Sequence, residues 1–232
     1  MKHLYYVFLL VGIALTSCTS SKNFSNLLNK NLQASTEGSS TTTTPTNWLS
    51  IKTDNLVKNE GTVQQVKRSF IPAIIYWSWN STIEAELEQE ITVSYLENSI
   101  HKAVDSLQME KKLQGGKLVI SLRKVPGKFV YENKGNVLFF LFAYSVGGAE
   151  TITPAQTALV ASFEVQAGEK VLTAGEVFIR NNNDPVMNSM KTTNKFTQLY
   201  LDHYRKDTER MGTELVSQII QKLEARTSAN NN

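Results

Sequence analysis

From Lys117 to Arg180 the chain runs through one strand-like segment after another, and this succession limits the fold more than any other feature. Leu118, Ile120 and Leu122 alternate with Lys117, Ser121 and Arg123 until a turn at Pro126-Gly127. Such a period of two buries one face of a strand and wets the other. Val137 to Tyr144 is apolar at both parities, which predicts a strand covered on both faces at the centre of a sheet. Leu159 to Gln166 and Lys170 to Arg180 flank Ala167-Gly168-Glu169, a short hairpin turn. Asn181-Asn182-Asn183-Asp184-Pro185 then breaks the sheet. Strands joined by turns this short pair antiparallel, because parallel neighbours need a long crossover.

Two further alternations precede that block. Ile75, Trp77 and Trp79 alternate with Tyr76, Ser78 and Asn80. Ile83, Ala85, Leu87, Gln89 and Ile91 then face one way and Glu84, Glu86, Glu88 and Glu90 the other, a pattern that a strand gathers and a helix scatters. Ser94-Tyr95-Leu96-Glu97 has the form of a capping box, followed by the stripe Leu96, Ile100, Val104 and Leu107. A second, longer helix is predicted from Thr197 to Leu223, with its dense stripe at Met211, Leu215, Ile219 and Ile220. Strands, helix, strands and helix in that order predict an α+β domain over residues 48–225. An antiparallel sheet would carry the two helices, the long one C-terminal, on one face. Residues 226–232 read as a disordered tail.

The N-terminus carries an address. Met1-Lys2-His3 is followed by an apolar run from Leu4 to Leu15 and by the small residues Thr16 and Ser17. A positive start, a short apolar stretch and a small-residue cut site make a secretory signal over residues 1–17. The run is too short for a transmembrane helix, which needs about 20 apolar residues. Leu15-Thr16-Ser17-Cys18 resembles the lipobox of bacterial lipoproteins. That resemblance implies cleavage before Cys18, a diacylglyceryl group on its thiol and an acylated amine, a palmitate-type anchor in the membrane. Thr19 where an inner-membrane retention signal would have Asp, and the absence of acids in Thr19-Ser20-Ser21-Lys22-Asn23, imply the periplasmic face of the outer membrane. Cys18 is the only cysteine, so a lipidated chain has no disulfide and no catalytic thiol.

Residues 18–47 are rich in Ser, Thr and Asn and end in Ser39-Ser40-Thr41-Thr42-Thr43-Thr44-Pro45. Little apolar surface offsets the entropy of ordering them, so a flexible tether is expected. Phe24, Leu27, Leu28 and Leu32 have helical spacing and offer a graze against the membrane as the other reading.

No set of residues announces chemistry. The net charge of +3 implies neither nucleic acid nor a strongly anionic partner. There is no nucleophile elbow, P-loop or dinucleotide fingerprint, so the chain reads as a non-enzyme without a cofactor; abundant carboxylates leave a glycosidase pair open on sequence alone. His101 and His203 lack the neighbours of a metal motif and read as surface histidines. The four glutamates splay along a strand rather than converging on Ca²⁺, so pairing across the sheet with Lys117 and Arg123 is expected. Lys111, Lys112, Lys117, Arg123, Lys124 and Lys128 form a basic stretch that the acids neutralise. Asn80-Ser81-Thr82 and Asp105-Ser106-Leu107 match glycosylation acceptors that carry little meaning here. Trp77 and Trp79 are expected as core anchors, with a binding platform as the alternative. Tyr200 and Tyr204, among charges on the overhanging half of the long helix, are expected as a partner contact, with simple packing against the Asn181–Asp184 loop as the other reading.

Signal, tether and element order together resemble the small envelope lipoproteins that serve as auxiliary components of ABC-type transport systems. That resemblance implies a non-enzymatic envelope component contacting protein or lipid partners. The alternative is a surface-displayed lipoprotein that binds glycan or host protein.

Overall fold

A computed structural model describes residues 20–36, 47–53, 56, 58–113, 115–140 and 143–230; the signal segment and Cys18 lie outside them. The chain adopts the α+β class expected, and its strands divide between two sheets. The first sheet has the order β1 (Leu49–Lys52), β4 (Lys117–Lys124), β7 (Ala158–Ala167) and β8 (Lys170–Arg180). Its pairs are antiparallel except β1 with β4. The second sheet is antiparallel throughout: β2 (Thr62–Pro72), β3 (Tyr76–Glu86), β5 (Lys128–Phe140), β6 (Ala143–Pro154) and the short β9 (Val186–Met187). Only Val125-Pro126-Gly127 separates β4 from β5, and there the chain changes sheets. Pro126 has no N–H with which to continue a ladder. The β7–β8 hairpin turns where expected, with Gly168 at φ +60°, a left-handed conformation that glycine adopts freely.

Among the described residues four helices accompany the sheets: α1 (Ser21–Thr36), α2 (Gln89–Ser106), the short α3 (Met109–Lys112) and α4 (Thr193–Asn230). The first core lies between α2, the C-terminal half of α4 and the first sheet. It gathers Leu96 and Ile100 of α2, Leu118, Ile120 and Leu122 of β4, Phe163 of β7, and Met211, Leu215 and Ile219 of α4. The second core gathers Phe24, Leu28 and Leu32 of α1, Ile83, Phe129, Tyr131 and Ile152 of the second sheet, and Phe196 and Tyr200 of α4. The long helix therefore serves both cores, one with each half.

Several expectations change. Ser21–Thr36, read as part of a tether, is a helix whose apolar stripe fills the second core, because an uncovered sheet face stands opposite it. The Ser/Thr run at 39–45 lies outside the described residues. The helix α2 starts at Gln89, so Ser94 is interior to it and donates to the Ile91 carbonyl at 2.8 Å rather than capping. That early start also splits the acidic ladder. Glu84 and Glu86 lie on β3, whereas Glu88 and Glu90 lie at the start of α2, where acids suit the helix dipole. Pairing with Lys117 or Arg123 across a sheet is ruled out, since β3 and β4 belong to different sheets. Glu86 instead meets Lys128 at 3.4 Å, and Arg123 meets Glu176 at 3.3 Å. The tail expected after Ala225 continues α4 to Asn230, with no Gly or Pro to stop it. No helix among the described residues is long and apolar enough to cross a membrane.

Candidate functional site, an apolar arm on the second sheet

The four long strands of the second sheet run well past the core that covers their bases. Ile83, Tyr131 and Ile152 stand side by side and are fully buried. One step outward on the same face lies a polar row of Arg68, Ser81, Asn133 and Glu150. The Tyr131 hydroxyl donates to Glu150 at 2.5 Å and accepts from Asn133 at 3.3 Å, and Asn188 donates to the same carboxylate. Beyond this belt the polarity reverses. Successive rows hold Phe70, Trp79, Gly135 and Gly148; then Pro72, Trp77, Val137 and Val146; then Phe139 and Tyr144. Phe139 takes its place by donating its N–H to the Ile75 carbonyl at 2.7 Å.

The rings on this face touch one another. Trp77 meets Phe139 edge-on with centroids 5.2 Å apart, and Phe139 meets Tyr144 at 6.5 Å. The Trp79 indole lies over Gly135, where an added Cβ would fall 2.2 Å from its Cζ2. Its Nε1 donates to Asn133 at 2.9 Å, so the polar edge points to the belt and the ring points away. The opposite face carries Lys67, Thr82, Glu132 and Thr151, then Ser69, Asn80, Lys134 and Ala149, then Ile71, Ser78, Asn136 and Gly147. One face of the arm is thus apolar and the other polar over the same rows.

At the tip both faces are apolar and open. Ile74 is 97% exposed, Tyr144 75%, Phe140 67% and Val146 61%. Val137 to Tyr144 is expected to be a covered, central strand; Val137 to Phe140 does lie in the central β5, but the described residues of the segment form the exposed end of the β5–β6 hairpin, with Leu141 and Phe142 outside the description.

Trp77 and Trp79 lie on this arm and in neither core, so the anchor role expected of them is corrected. Tyr200 and Tyr204 move the other way. Tyr200 is 1% exposed and packs its ring against Phe129 at 4.7 Å. Tyr204 donates to the Pro126 carbonyl at 2.9 Å and shares a 2.5 Å hydrogen bond with Thr92. Tyr200 is thus a core residue rather than an exposed contact, and the half-buried Tyr204 ties α4 to α2 and to the connection between the two sheets. The overhang expected of that half of the helix is filled by a sheet that the sequence did not separate from the first.

No family model, curated protein or solved structure matches this chain.

The other candidate residues do not converge. Among the described residues no group of three or more His, Cys, Asp and Glu could hold a metal ion. His101 is half-buried beside Glu97, whose carboxyl is pushed up by burial and drawn back by that histidine. His203 lines a concavity of about 1090 Å³ beside the N-terminal half of α4. Within it Arg210 is engaged by Asp207 at 2.8 Å, with Glu214 at 2.7 Å on its other side. The arm was missed because β2 and β6 show little alternation, whereas the Ile75-Trp77-Trp79 pattern was legible and belongs to it.

Proposed function

We propose that the chain is a lipid-anchored envelope component whose four-stranded arm enters the bilayer, with Cys18 carrying the lipid. The observation that supports this reading is the arm's reversal of polarity: a belt of Arg68, Asn133 and Glu150, then an aromatic, aliphatic face, then a tip apolar all round. Exposed apolar patches of this kind mark contact surfaces. Moving one Trp, Phe or Val side chain out of water gains about 1.5–3 kcal/mol.

Chain length limits how far an anchor at Cys18 can lie from the base of the arm. Phe24 stacks on Tyr131 with centroids 4.5 Å apart, one row from the belt. Cys18 precedes Phe24 by six residues, a length that spans at most roughly 22 Å. A lipid at Cys18 therefore keeps the arm's base close to a membrane surface, and the arm projects from that base. The outer membrane, entered from its periplasmic face, fits the residues after Cys18. The partner is the bilayer itself.

The full-length lipoprotein, carrying Trp48→Phe to leave only the arm's tryptophans, is reconstituted into vesicles with brominated acyl chains. Emission from Trp77 and Trp79 should be strongly quenched by bromolipid and little affected by aqueous iodide. The reverse pattern would place the arm in water and end this reading.

A further inference from the structure

We infer that the arms of several copies join edge to edge, β2 of one to β6 of the next, and close into a β-barrel in the membrane. This rests on the membrane reading above and names the partner that the reading requires. An open sheet edge has unpaired N–H and C=O groups, and in hydrocarbon each costs several kcal/mol, so strands enter lipid only where the sheet closes on itself. The arm has two such edges. On one side β9 covers β6 only at Thr151 and Ile152, so Ala143 to Gly148, paired with β5 on their inner side, have no described strand on their outer side. All six of those residues are exposed and none is charged or proline. Soluble proteins blunt an edge like this with charge, proline or a cover. On the other side β2 is the first strand of its sheet, and its outer part offers the short uncharged edge Ser69-Phe70-Ile71 between Arg68 at the belt and Pro72 near the tip.

The two edges suit each other. Strands β2, β3, β5 and β6 alternate in direction, so β2 and β6 of neighbouring copies run antiparallel and every copy adds the same four strands without a parallel seam. Barrels of the outer-membrane type are antiparallel, with an apolar outer band and a polar interior. The apolar face of Trp77, Trp79, Val137, Phe139 and Val146 becomes the outside. Ser69, Ser78, Asn80, Lys134 and Asn136 line the inside. Arg68 on β2 shares a row with Glu150 on β6, so closing the ring brings opposite charges toward one seam at the belt.

Paired cysteines in the full-length lipoprotein test the seam, the native Cys18 being capped by lipid. Ser69→Cys is combined in turn with Gly147→Cys, Ala149→Cys and Thr151→Cys on the same face, which covers the stagger of a barrel, and with Gly148→Cys on the opposite face. Directly paired residues on neighbouring strands stand about 4.5–5.5 Å apart, within reach of a disulfide. After oxidation in vesicles, one same-face pair should give a ladder of covalent oligomers beyond the dimer. Single variants and the opposite-face pair should give none. If no same-face pair forms a ladder while bromolipid quenches Trp77 and Trp79, the arms enter lipid without pairing and the inference is wrong. A ladder of equal strength from the opposite-face pair also overturns it. Tryptophans that bromolipid leaves unquenched overturn the membrane reading and this inference with it.

Discussion

At the scale of single residues, the two tyrosines of α4 show how burial and partnership separate. The Tyr200 hydroxyl is buried and has no hydrogen-bond partner among the described residues, whereas that of Tyr204 has Thr92 and the Pro126 carbonyl. Removing an unpartnered buried hydroxyl takes away only an unmet need, so Tyr200→Phe should leave stability unchanged or raise it by up to about 1 kcal/mol. Tyr204→Phe strands two partners and should cost about 1–3 kcal/mol. Denaturant titrations of both variants measure the difference. Burial, reinforced by Tyr204 and Asp207 nearby, holds the Tyr200 phenol well above its ordinary value; burial does the same to Tyr204. An unfolded tyrosine ionises near pH 10. Below that pH both states keep the proton and stability is flat. As pH rises through 10 the unfolded chain sheds protons first, so stability should fall by up to about 1.4 kcal/mol per pH unit for each phenol. Unfolding free energies that stay level from pH 8 to 11 would show that these hydroxyls reach water.

At the scale of elements, α1 decides how far the domain stands from its anchor. A tether of some 30 flexible residues would give a reach of roughly 30 Å; a helix docked from Ser21 leaves only Thr19 and Ser20 between it and Cys18. Phe24 is fully buried and lies against both Tyr131 and Phe129. Phe24→Ala should cost about 3–5 kcal/mol if α1 and the second core unfold as one unit with the rest. Hydrogen exchange should then show α1 opening together with α2, which packs on α4 through a close approach. An added Cβ at Gly212 would fall 1.9 Å from Ser99 Oγ, so the two helices meet where only glycine fits. Loss of less than about 1 kcal/mol in Phe24→Ala would mean that α1 contributes little to the fold.

At the scale of the whole molecule, body and arm are separate in energy although they share strands. The arm's outer rows contact neither core, so a Trp77→Ser, Phe139→Ser pair removes cross-strand contacts worth about 0.2–1 kcal/mol each. The melting temperature should hardly move. Flotation with vesicles should respond far more, because those same rings supply the arm's transfer free energy. The comparison uses chain prepared without lipid: floating with the native arm and sedimenting with the doubly substituted one is the expected result. Equal flotation of both would assign membrane affinity to something other than this face.

What the sequence by itself determined is what local pattern can carry. The lipobox resemblance, the strands at Lys117 and Leu159, the hairpin at Gly168 and the stripe Met211, Leu215 and Ile219 are each written in the residues that form them. Period and turn chemistry act over a few residues, so they survive without knowledge of the partner. Tertiary structure alone decided which surface each pattern meets. Val137 to Phe140 and Trp77 to Trp79 are apolar whether they face a core or project from it, and nothing in their order says which. The same holds for Phe24 and Leu28, whose stripe found a sheet face contributed by residues more than fifty positions away. Tyr200 escapes the sequence for that reason too: its burial depends on a second sheet, and the division of strands between sheets is set by long-range pairing that no local window contains.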